Sequence, residues 1–167
     1  MSDELAADLY KILKSEYELY QSLKQSAEKK KDSIIEGEVD DLAQLVEKEE
    51  EIVNKLEKKE KKREKVLQEL IEIKGVDLKK ISFKEMLKYF SEKWQDDLAT
   101  YRNKLLEIIE ELEALNEENR SLLEEAMKFN NFSLNMLYDA IDLSSQTYSK
   151  DKSSEKKQGF NIIDRKA

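Results

Sequence analysis

The 167-residue sequence contains no cysteine, no histidine and no proline, and only three glycines. Each absence closes a set of options. Without cysteine there is no disulfide, thiolate metal site or thiol nucleophile. Without histidine the commonest general base and metal ligand is missing. Without proline nothing forces a helix to kink or stop. No Gly-rich phosphate loop is present, and no nucleophile stands beside a base. No stretch nears the roughly 18 consecutive apolar residues of a membrane span. The start, MSDELAADLYK, lacks the basic and apolar runs of a signal peptide. These absences point away from an enzyme, a metal or other cofactor, and membrane insertion.

What is abundant is charge. Charged residues make up 41% of the chain and apolar ones 39%, the mix of long helices and coiled coils. A net charge of −8 argues against nucleic acid as partner, which needs a basic footprint. Residues 144–167 hold six Lys/Arg and three Asp/Glu, so this tail carries +3 and the remainder −11. The expectation is an all-α, soluble, cytoplasmic protein that buries apolar seams and has no thick core.

Apolar residues recur in steps of three and four, the coiled-coil pattern. Leu5, Leu9, Ile12, Leu19, Leu23, Ala27 and Ile34 predict a first helix over about 4–36, with Gly37 as its stop. Glu16 and Lys30 fill seam positions within it, and Glu49 does so in the next helix. That second helix spans about 41–74, with Asp41 and Gln44 spaced as a capping box and Gly75 as C′ residue. Its stripe is broken by KKEKKREK (58–65), whose interleaved Glu residues read as a solvated, ion-paired face. The seam-phase carboxylates read as partners of Lys across the helix pair and not as metal ligands. Ser82 and Glu85 form a second capping box, and Ile81 and Met86 have the spacing of a hydrophobic staple. From there one helix over about 82–143 is expected, its seam running through Phe90, Trp94, Leu98, Leu105, Leu112, Asn119 and on to Met136. Residues 144–167 read as a disordered Ser/Lys-rich tail, with Phe160, Ile162 and Ile163 clustered near its end. The whole reads as an extended antiparallel three-helix coiled-coil bundle, in domain 1–143, followed by the tail.

Helix lengths do not match. At ~1.5 Å per residue the first two helices are each ~50 Å long and the third ~90 Å. The first two can cover the third only to about Leu115. Beyond it, LNEENRSLLEEAMKFNNFSLNML (115–137) and the residues just after it carry two adjacent rows: Leu122, Ala126, Phe129, Met136 and Leu123, Met127, Asn130, Leu134, Leu137, Ile141, with Phe132 and Tyr138 near the margins. Such a face needs a cover. The helix bends near Asn130–Ser133 into a fourth segment, or two chains pair as a homodimer, or a partner supplies a helix.

The segment Leu115-Asn116, Asn119-Arg120, Leu122-Leu123-Glu124 and Phe129 resembles the LN-x-x-N-R-x-LL-E segment of the FlgN family of flagellar export chaperones. An early pattern (Leu9, Ile12, Leu13, Glu16, Tyr20, Leu23), the acidic stretch VDDLAQLVEKEE (39–50) and the ending IDRKA (163–167) are also similar to that family. The resemblance implies a chaperone of the flagellar type III export system with hook-associated proteins as clients. It also implies client binding through the C-terminal region and contact with the export apparatus. By match to the motif it assigns client binding to Asn119, Leu122, Leu123 and Phe129. The apolar rows alone add Ala126, Met127, Phe132, Met136 and Leu137. The competing reading is a homodimeric structural coiled coil or scaffold adaptor with no client.

Overall fold

A computed structural model describes residues 2–148 and contains α1 (Ser2–Glu36), α2 (Val39–Lys74), α3 (Phe83–Leu87) and α4 (Glu92–Tyr148), with no strand among the described residues. The chain is all-α. It divides into two compact units, residues 1–126 and 127–167. The predicted tail is helical up to Tyr148, and Phe160, Ile162 and Ile163 lie outside the described residues.

In the first unit α1 is the central helix. Ten of its residues are buried, against only Ile52 and Leu70 in α2. A helix packed on two sides must bury two stripes. Beside the expected Leu5, Leu9, Ile12, Leu23 and Ala27, α1 therefore also buries Ala6, Leu13, Ser26 and Ser33. Small residues among them let a neighbour approach closely.

Two turns set the direction of α2. Gly37 has φ 74° and closes α1, donating its N–H to Ile34 O while Glu38 N–H donates to Ser33 O. This is the Schellman arrangement, which satisfies the last carbonyls of a helix. The turn leads straight into α2 at Val39, so the helix begins two residues before the expected Asp41, and Glu38 at its N-cap makes no side-chain cap bond. The other end closes on Gly75, φ 64°, whose N–H reaches Ile71 O.

Seam charges fix the register. Arg63 Nη1 donates to Glu16 Oε2 at 2.8 Å, and Lys30 Nζ to Glu49 Oε2 at 2.7 Å. The two residue numbers of each pair add to the same total, as antiparallel α1 and α2 require. The interhelical partner of Glu16 is thus an Arg from the KKEKKREK stretch, which bridges the gap in the α2 stripe. Between α1 and α4 the partners instead keep a constant separation: Lys24–Glu111 and Lys31–Glu118, both 2.6 Å. These helices run parallel, and the rungs are one heptad apart. Tyr10 packs on Trp94 and Tyr101, at centroid distances of 5.7 and 5.2 Å, and ties their early halves together.

The third helix is not continuous from Ser82. The capping box forms as expected, with Ser82 Oγ accepting from Glu85 N–H and the Glu85 carboxylate accepting from Ser82 N–H at 2.7 Å. Ile81 and Met86 join the same core cluster. The helix then ends at Leu87 in tight i→i−3 turns through Phe90, and α4 starts at Glu92. The cause is geometric. Met86, Phe90, Trp94 and Leu98 recur in steps of four, which drift about 40° per step off a straight stripe. Breaking at residues 88–91 resets the phase, so Met86, Leu87, Phe90 and Leu98 are all buried. From Glu92 onward α4 is uninterrupted, passing Asn130, Asn131 and Ser133 as helix.

Candidate binding surface

Within the first unit, α4 is covered further than its length suggested. Asn119 is 5% exposed, and its Nδ2 donates to Ala27 O on α1 at 2.8 Å. Ala27, 0% exposed, is the small residue that makes room for it. Asn119 Oδ1 is buried with no hydrogen-bond partner among the described residues. This side chain is bonded within the bundle, and Asn119 also borders the cleft between α2 and α4. Leu122 and Ala126 are half-buried, and Leu123 is exposed.

Leu123 lies at the rim of a cleft between α2 and α4. Because both helices pack on α1, their flanks leave an apolar trough floored by α1. Near the α3 end it holds about 320 Å³ among Leu9, Leu13, Leu56, Leu67, Met86, Leu105 and Ile109, with the Glu16–Arg63 pair at its wall. Toward the other end it holds about 410 Å³ among Ile34, Leu42, Val46, Val53, Leu112 and Leu123. Burial pushes the Glu16 carboxyl above the ordinary carboxylate range, with Arg63 opposing the shift.

The second unit presents a wider apolar surface. Every residue from Met127 to Ser144 is exposed, Phe129 by 68%. At about 100° per residue, Phe129, Met136, Leu137, Ile141, Leu134 and Met127 form one face, with Phe132 at one edge and Tyr138 at the other. It takes up roughly two thirds of the circumference. Lys128, Asn131, Asn135, Asp139 and Asp142 form the remaining polar stripe. Only Lys128, Asp139 and Asp142 are charged in residues 127–148, in a chain that is 41% charged. A helix with its charged groups confined to one narrow stripe and, over residues 127–144, only Asn130, Ser133 and Ser144 as polar interruptions of the opposite arc, is suited to being covered on its other sides.

Of the expected site residues, Met127, Phe129, Phe132, Met136 and Leu137 therefore share the exposed helix of the second unit. Leu122, Leu123 and Ala126 belong to the first unit, and Asn119 is internal to it. Among the described residues no cluster of His, Cys, Asp or Glu could hold a metal ion, and no helix is long and apolar enough to cross a membrane.

Residues 1–156 match the family model described as FlgN protein. The chain belongs to the FlgN family. This is a non-enzymatic family of flagellar export chaperones that bind hook-associated proteins, and that general role applies to the chain. Comparisons with curated proteins and with solved structures each gave no match.

Two features escaped the sequence reading. Leu134 and Ile141 are as exposed as the assigned residues, at 47% and 52%, and their place in the second apolar row was the available signal. The α2–α4 cleft was also readable. The doublets Leu45-Val46, Ile52-Val53 and Val66-Leu67 give α2 two apolar rows, and only one can face α1.

Proposed function

We propose that this FlgN-family chain is a cytoplasmic chaperone that holds hook-associated proteins through the exposed face of Met127, Phe129, Phe132, Leu134, Met136, Leu137 and Ile141. The observation that carries this reading is the combination of exposure, wide apolar arc and near absence of charge over residues 127–144. A client's amphipathic terminal segment lays its apolar side on this helix, the helix-in-groove mode. The arc is broader than a single helix covers, so the client contributes more than one apolar element, or one that wraps. Methionine at 127 and 136 gives the face the adaptability to accept more than one such sequence. Burial of the client's apolar terminus keeps it from assembling before export, and delivery to the export apparatus completes the role. No nucleotide or metal enters this mechanism.

Size-exclusion co-elution of the full chain with a purified hook-associated protein tests it. The pair Phe129→Ser and Met136→Ser is expected to abolish co-elution while helicity stays unchanged, since both side chains are exposed. Retained co-elution would rule the face out. A homodimeric coiled coil without client would use the same face, because Ala126, Phe129, Ser133 and Met136 keep coiled-coil spacing. Light scattering distinguishes it: that reading requires a tight dimer that the same substitutions convert to monomer.

A further inference from the structure

Over residues 127–144, three polar side chains interrupt the apolar arc of the second-unit helix: Asn130, Ser133 and Ser144. They differ in what covering them costs. A covered hydroxyl can return its proton to its own helix, as Ser144 Oγ does by donating to Ile141 O at 2.8 Å. Ser133 carries the same group. A carboxamide has an acceptor oxygen and two N–H donors, more than the committed backbone of its own helix can serve. Asn130 is exposed, so water serves these groups in the free chain.

A bound client removes that water. At about 100° per residue, Asn130 lies about 20° from Leu137 and Ile141 and about 40° from Leu134. Met127 and Leu134 stand one turn before and one turn after it on the same side. A client element that covers Met127, Leu134 and Leu137 therefore dehydrates Asn130 as well. An amide dehydrated without a partner is strongly unfavourable, whereas one paired across the interface is not. An unbroken apolar stripe on the client is thus disfavoured, as is every register that brings an apolar side chain opposite position 130. A lone Asn in a coiled-coil seam fixes register for the same reason. The side chain that answers a carboxamide's donor and acceptor together is another carboxamide.

We propose, resting on the client-face reading above, that Asn130 sets the register of the bound client by pairing with an Asn or Gln in the client's apolar stripe. The adjacent Asn131 serves as an internal control, because the same side chain there lies in the polar stripe.

Calorimetric titration of the full chain with a purified hook-associated protein tests this, each Asn and Gln of the client's terminal segments being changed in turn to Leu. Asn130→Leu should weaken binding of the unaltered client about tenfold, and Asn131→Leu should leave it unchanged, with helicity the same in both. One client substitution should weaken binding to the parent chain yet strengthen binding to the Asn130→Leu chain, a departure from additivity of about tenfold or more. Additive effects at every client position, or an Asn130→Leu chain that binds the unaltered client as tightly as the parent, would overturn the proposal. If Phe129→Ser with Met136→Ser still abolishes co-elution in that event, the client face stands and only the register role falls. Retained co-elution of that pair removes both.

Discussion

Two residues decide how the seams of the first unit are specified. Glu16 is 3% exposed, and its pairing with Arg63 offsets only part of the desolvation of its carboxylate. Breaking such a pair from the cationic side leaves a buried charge unpaired. Arg63→Ala is therefore expected to lower the unfolding free energy at pH 7 by roughly 2–3 kcal/mol, measured by urea denaturation. The folded-state value of Glu16 lies above the ordinary one, so the folded protein holds this proton more tightly than the unfolded chain. Its contribution is present below the ordinary carboxylate range and is lost as pH rises through the raised value. The Arg63→Ala deficit should accordingly shrink in acid, and adding Glu16→Gln should remove most of it at pH 7. Asn119 is the second case. One of its amide atoms is bonded and the other is not, so Asn119→Leu should raise stability by about 1 kcal/mol. The same substitution should leave client affinity unchanged, which separates an internal role for Asn119 from the client-contact role that its motif position implied.

At the scale of the element, α3 and the start of α4 depend on one cap. Ser82→Ala removes the capping box and should cost about 1 kcal/mol. The Ser82 bonds hold the Glu85 carboxyl below its ordinary value, so this stabilisation is present at neutral pH and is lost as pH falls through the lowered value. In acid the gap between Ser82→Ala and the parent should close. The elements were largely legible because their signals are local: the glycines at 37 and 75, the Ser82–Glu85 box, and steps of three and four. What stayed hidden depends on neighbours. The break at 88–91 follows from burying Phe90 and Leu98 in one core, and the double stripe of α1 follows from its having two partners. Asp41 and Gln44 carry the right spacing for a cap, yet the Schellman turn at Gly37 starts α2 before they can act.

At the scale of the whole molecule, charge is distributed by task. The first unit is laced with interhelical ion pairs such as Lys24–Glu111 and Lys31–Glu118. The second-unit helix carries almost none of the chain's charge and much of its exposed apolar surface. That contrast was present in the sequence, as was the apolar row through Phe129 and Met136. The commitment of Asn119 to Ala27 was not, because only the packed bundle reveals which seam residues still face outward. The central claim is that the Met127–Leu143 face is open in the free protein and covered by client. Hydrogen exchange of the full chain, alone and with a purified hook-associated protein, tests it most directly. The account predicts rapid exchange over residues 127–143 in the free chain and strong protection there on client binding, with α1 unchanged. Protection already complete without client, or unaltered by its addition, would contradict it.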